Sequence, residues 1–226
     1  MKAKMFVSLL IAMFFVSGNV FAQSAQDMEV LKQRAKEKVK QLNDYISFMA
    51  NPQKASKTRY FYKEQAQKLF INDCDRFKEI VEYKDGSKEE VWRDGVTMEV
   101  ASLRNRTPRP RPMKEYFRGL ITMTYKSVTI ETTDIADMRV SKLQPYGKDE
   151  NGKMMYICSV YFDQAFVGRR GDGGIYKDIT HKWVVCYVQV DDVLDEKTGE
   201  TYPEYMVKLG DVHVGSCRNN IENEIE

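Results

Sequence analysis

The sequence predicts an α+β fold in which two N-terminal helices pack on an antiparallel sheet. Two observations carry that expectation. Apolar residues recur every three or four positions up to about residue 72, and every second position from about residue 76 onward. Gly-containing turns at Asp85-Gly86, Asn151-Gly152 and Lys197-Thr198-Gly199 then separate long alternating runs. Such spacing suits hairpins in a meander and does not suit βαβ units.

Ahead of the helices, residues 1–22 read as an export signal. Lys2 and Lys4 give a positive start, and Met5–Val16 is apolar apart from Ser8. Ser17-Gly18-Asn19 breaks the run, and Val20 and Ala22 are the small residues before a cut that leaves Gln23 first. The run is well short of the roughly 20 residues that span a bilayer. No cysteine follows the cut, which argues against a lipoprotein anchor, and no second apolar stretch is long enough to cross a membrane. The expected destination is the periplasm or the exterior, with residues 23–226 forming one domain.

Within that domain, Met28, Leu31, Ala35, Val39, Leu42, Ile46 and Met49 mark one face of a helix over 25–49, ended by Asn51-Pro52. A second helix over 58–72 carries Tyr62, Ala66, Leu69 and Phe70 on one face. Strands are expected over 76–83 and 89–103, with a short helix over 113–120. Further strands follow over 123–133 and 136–144. The run 153–167 puts Tyr156, Cys158, Val160 and Phe162 on one face. The run 179–190 does the same with Val184, Cys186, Val188 and Val190, and 205–214 closes a meander extending from 76 to 214. The rest, 215–226, reads as a polar, fraying tail.

Composition narrows the function classes. The leader takes Lys2 and Lys4 from 35 basic residues and nothing from 33 acidic ones, so the mature chain is neutral. No basic footprint for nucleic acid extends over such a surface. Cys74, Cys158, Cys186 and Cys217 contain no CxxC pair, which removes zinc ribbons and thioredoxin-like redox sites. An even count in an oxidising compartment permits two bridges in three possible pairings, and buried thiols are the plainer reading. Cys158 and Cys186 fall on the apolar faces of their strands, where register decides whether they meet. The two histidines, His181 and His213, lack zinc-site spacing. Cys186 follows His181 by five residues, which places them on opposite faces of a strand, and no GxSxG or SxxK nucleophile motif is present. No metal, cofactor or catalytic residue is therefore assigned.

The order of elements over 25–214 resembles that of NTF2-like domains, the cystatin-like α+β cone. The resemblance implies helices wrapped on a strongly curved sheet and, often, an enclosed pocket. For members of the ketosteroid isomerase type it also implies a pocket carboxylate as base and a phenolic or acidic donor. Asp163 would be that carboxylate, and Tyr125, Tyr161 or Tyr187 the donor. Alternation, however, sets Asp163 opposite Phe162, on the solvent side.

Two arginine-rich loops stand out. Arg104, Arg106, Arg109 and Arg111 alternate with prolines in a segment that reads as a stiff, extended loop and a poor strand. Arg169 and Arg170 lie in a Gly-rich loop that does not lead from a strand into a helix, so it is not a phosphate cradle. Guanidinium groups pair with carboxylates and phosphates. The expected function is thus an exported, non-catalytic binding or protein-interaction module of the bacterial envelope, meeting an anionic protein, glycan or other envelope component through these six arginines. The alternative is a small-molecule enzyme with a pocket carboxylate or histidine as base. A pocket carboxylate within reach of a tyrosine hydroxyl favours the enzyme, and arginines gathered on one rim favour the binding module.

Overall fold

A computed structural model describes residues 2–102, 105–148 and 153–218. Three helices pack on a mixed, largely antiparallel open sheet, as the α+β reading requires. Helix α1 spans Lys2–Ala50, and Leu31, Ala35, Val39, Leu42, Ile46 and Met49 form its buried stripe. No helix among the described residues is long and apolar enough to cross a membrane. Helix α2 spans Ser56–Gln67 and is followed by a single 3-10 turn at Ile71–Cys74, so the predicted helix over 58–72 stops early. Arg59 projects inward from α2. Its Nε donates to the Met49 carbonyl at 2.7 Å and its Nη2 to the Leu120 carbonyl at 3.1 Å. One guanidinium thereby satisfies carbonyls that two helix ends leave without intrahelical partners.

Strands β1 (Phe77–Glu82) and β2 (Lys88–Arg93) form the expected hairpin across Asp85-Gly86, as a separate two-stranded sheet. The run predicted over 89–103 does not continue as one strand. It breaks at Asp94-Gly95, where Gly95 adopts φ +105° and a Cβ would lie 2.5 Å from the Cys74 carbonyl oxygen. The chain then enters the main sheet as β3 (Thr97–Val100). Arg93 ties the two sheets together, donating to Glu79 at 2.8 Å and to Asp211 at 2.7 Å.

The arginine–proline segment corrects the sequence reading. Arg109–Pro112 is a strand, β4, paired antiparallel to β3 at the sheet edge. Met113 N donates to Val96 O at 3.0 Å, which sets the phase: Arg109 and Arg111 turn their amides toward β3, while Pro110 and Pro112 turn outward. Proline is thus tolerated because it occupies only positions whose N–H would face solvent.

Helix α3 (Met113–Ile121) buries Met113, Phe117, Leu120 and Ile121. Strand β5 (Ser127–Thr132) is shorter than expected, and the run over 136–144 contributes only β6 (Arg139–Val140) before β7 (Gln144–Lys148). The Asn151-Gly152 turn lies outside the described residues. Three long strands form the centre: β8 (Met154–Arg169), β9 (Ile175–Leu194) and β10 (Thr201–Arg218), so strand structure extends into the segment expected to fray. The order is β4-β3-β10-β9-β8-β5, with β6 and β7 also on β8. The pure meander is corrected at one ladder: β3 runs parallel to β10, with Met98 opposite Val212.

Register places Cys158 directly opposite Cys186 and Val160 opposite Val184, beneath α1. All four cysteines are free thiols. On β10 the inward positions change from Val207 and Leu209 to Val212 and Val214, because a register shift after Leu209 re-phases the strand.

Candidate functional site

Along β8 and β9 the inward face changes character. Near the middle of the strands it is Cys158, Val160 and Phe162 against Val184 and Cys186, sealed by α1. Further on, the same alternation brings Gln164, Asp178, Thr180 and Lys182 inside, all buried. Helix α1 reaches this polar end through Asn43, which meets Gln164. Beyond that contact it opens into a cavity of about 310 Å³ between the sheet, α3 and the segment after β3.

Tyr116 and Leu120 of α3, Met123, Tyr125, Ile130 and Phe166 form the apolar wall, and Arg170, Tyr176 and Glu99–Ser102 complete the lining. A Cβ at Gly168 would lie 2.6 Å from the Tyr125 ring, so any other residue there would displace that ring of the cavity wall. Tyr125 in turn packs edge-on against Phe166 at 5.6 Å, and Phe166 against Tyr176 at 6.0 Å.

A relay of polar groups crosses the floor. Lys182 Nζ donates to Gln164 Oε1 at 2.7 Å, Gln164 Nε2 to Asn43 Oδ1 at 2.8 Å, and Asn43 Nδ2 to the Val39 carbonyl at 3.1 Å. Gln164 is the one hydrogen-bond acceptor that Lys182 meets among the described residues. An ammonium has three donors, and Lys182 borders the cavity while being only 7% exposed. Burial pushes the Lys182 pKa down to about 8, with the charges of Asp178 and Cys217 opposing the shift. Burial likewise raises the Asp178 carboxyl above its ordinary value, against the Tyr176 hydroxyl, which donates to it at 2.5 Å, and the Lys182 charge. The lining cations Arg170 and Lys182 are matched by the acids Glu99 and Asp178.

Of the six arginines singled out in the sequence, Arg104 lies outside the described residues. Arg170 lines the cavity, Arg109 pairs with Val100 of its wall, and Arg106 is near enough to Cys217 to act on its thiol. Cys217 itself sits opposite Thr180 of the floor. Arg111 lies one ladder step past the wall, opposite Met98. Arg169 has the outward phase of β8. Arg106, Arg109, Arg111, Arg169 and Arg170 are all exposed, and none makes an ion pair among the described residues. Among the described residues, the acid partners a merely structural edge would supply are not found there.

The carboxylate weighed in the sequence is on the other face. Asp163 Oδ1 is 2.7 Å from His181 Nδ1, and both are part-exposed on the outer side. His213 is also outside, 3.3 Å from Glu99 and stacked on Trp183 at 5.2 Å. Of the three tyrosines, only Tyr125 lines the cavity. Tyr161 packs on Trp183 and Tyr187 on Tyr146. No group of three or more His, Cys, Asp or Glu side chains suited to a metal occurs among the described residues.

Sheet, helices and cavity together define an α+β domain with an amphipathic small-molecule-sized pocket. No family model matches the chain, and no curated protein or solved structure matches it.

Proposed function

We propose that this protein is an exported binding module, cleaved after Ala22, whose cavity holds a small amphiphile bearing an acid group. The observation that carries this reading is one lining that combines an apolar wall with Arg170 and Lys182, neither of which has all its donors filled among the described residues. The apolar body lies against Tyr116, Leu120, Met123, Tyr125, Ile130 and Phe166. The acid group meets Arg170, with Arg106 and Arg109 adding positive potential around the opening. Because the lining cations are matched by acids, charge steers the ligand and apolar burial holds it.

Thermal unfolding with decanoate, decanol and decylamine tests this. Decanoate is expected to raise Tm most, decanol less and decylamine not at all, and Arg170→Ala is expected to remove the advantage of the acid. Equal shifts for all three, or none, would overturn the reading.

A second reading rests on the 2.5 Å contact between Tyr176 and Asp178 inside the cavity, the arrangement expected of an enzyme. In it, Asp178 takes the role considered for Asp163. Chemical conversion of a bound amphiphile, lost in Asp178→Asn, would favour this reading, and recovery of the amphiphile unchanged favours the binding module.

A further inference from the structure

We propose that Lys182 is a covalent capture site, condensing through its Nζ with the carbonyl of a small apolar aldehyde or ketone that enters the cavity. The inference rests on the cavity being a ligand site and adds a reaction to it. Three features of the geometry carry it.

The amine is buried yet borders an open cavity, and among the described residues it meets a single acceptor, Gln164 Oε1. An ammonium confined there leaves two donors unfilled, whereas a neutral amine keeps its bond to Gln164 and turns a lone pair free for attack. The wall of Leu120, Met123, Tyr125, Ile130 and Phe166 suits the alkyl or aryl body of a carbonyl compound. Asp178 shares the inward face of β9 and is close enough for its charge to act on Lys182, so an acid–base group is present in the same cavity.

The chemistry is self-contained. The Nζ lone pair attacks the carbonyl carbon, a C–N bond forms, and the π pair moves to oxygen. That oxygen takes up a proton while nitrogen loses one, giving the carbinolamine. Asp178, whose carboxylate takes up through cavity solvent the proton that nitrogen loses, returns it to the hydroxyl, which leaves as water while nitrogen closes the C=N bond. The proton still on nitrogen passes to solvent to leave the neutral imine. Amine plus carbonyl gives imine plus water, with no oxidant or reductant. Burial supports the first step. With a pKa of about 8, about one-tenth of Lys182 is neutral at pH 7, several hundredfold more than for an exposed lysine.

Hexanal with cyanoborohydride tests the proposal, since hydride reduces the imine to a stable alkylamine that peptide mass mapping can place. Lys182 is expected to be alkylated at least about tenfold faster than exposed lysines at pH 7, with a rate that rises toward pH 8 and then levels as the amine becomes fully neutral. Excess decanoate is expected to protect it. Lys182→Arg is expected to lose that fast adduct while the exposed lysines react unchanged. Because the wild-type pH profile and the protection need no variant, misfolding of Lys182→Arg leaves the test intact. Labelling of Lys182 no faster than that of exposed lysines, with decanoate still stabilising the protein, would overturn covalent capture and leave the binding reading standing. Slow labelling together with no response to decanoate would overturn both. Fast labelling that decanoate does not affect supports capture and counts against the acid-bearing amphiphile.

Discussion

Lys182 and Asp178 couple this protein's stability to pH in opposite senses. An unfolded lysine titrates near 10.5 and Lys182 near 8, so between those values the unfolded chain holds the extra proton and stability rises with pH. Below pH 8 both states are protonated, and the buried ammonium costs about 3 kcal/mol. Lys182→Met is therefore expected to be more stable than wild type at pH 7, with the gap closing by pH 10; urea midpoints at the two pH values check this. For Asp178, burial raises the pKa, so the unfolded chain loses its proton first and the cost appears as pH rises out of the acid range. Asp178→Asn is expected to stabilise at pH 7 and to make no difference in acid, measured the same way. Arg59 works in the other direction. Replacing it with Ala strands the carbonyls of Met49 and Leu120 and is expected to cost about 2 kcal/mol in urea unfolding at any pH where arginine is charged.

Between the elements, single backbone positions decide where the chain goes. Gly95 turns it from the hairpin into the main sheet. Gly95→Ala combines a positive φ with a Cβ driven into the Cys74 carbonyl, and a loss of at least about 2 kcal/mol by chemical denaturation is expected. On β4, Pro110 and Pro112 leave the open edge without outward donors. Changing both to Val restores them, and sedimentation velocity is expected to show self-association through that edge. The helices and the central strands were legible because their apolar periods are long and strict. The same alternation that placed Val184, Cys186 and Val188 inside would have put Asp178, Thr180 and Lys182 inside too, had it been followed back through polar residues. Polar residues in a strand ordinarily mark its wet face, which masks that continuation. The β3–β10 pairing left no local trace, since it joins distant segments. The re-phasing of β10 depends on a register shift that alternation alone does not reveal, and the prolines of β4 hid a strand because only an edge accepts them.

At the scale of the whole molecule, the described core begins on α1 after the proposed cleavage point. Among the described side chains of α1 the first that is fully buried is Leu31, and the proposed cut after Ala22 falls before it. Residues 23–226 alone are expected to melt within about 2 °C of the full chain, and calorimetry of the two forms decides it. The parallel ladder between Met98 and Val212 also has a consequence in time. A chain emerging from the ribosome cannot fasten β3, or the edge strand that leans on it, until β10 has been synthesised almost to its end. The first half of the protein must wait, unclosed, for the last. Sheet completion is then a post-synthetic event, and a polypeptide still open at that moment can be threaded through a narrow translocation channel.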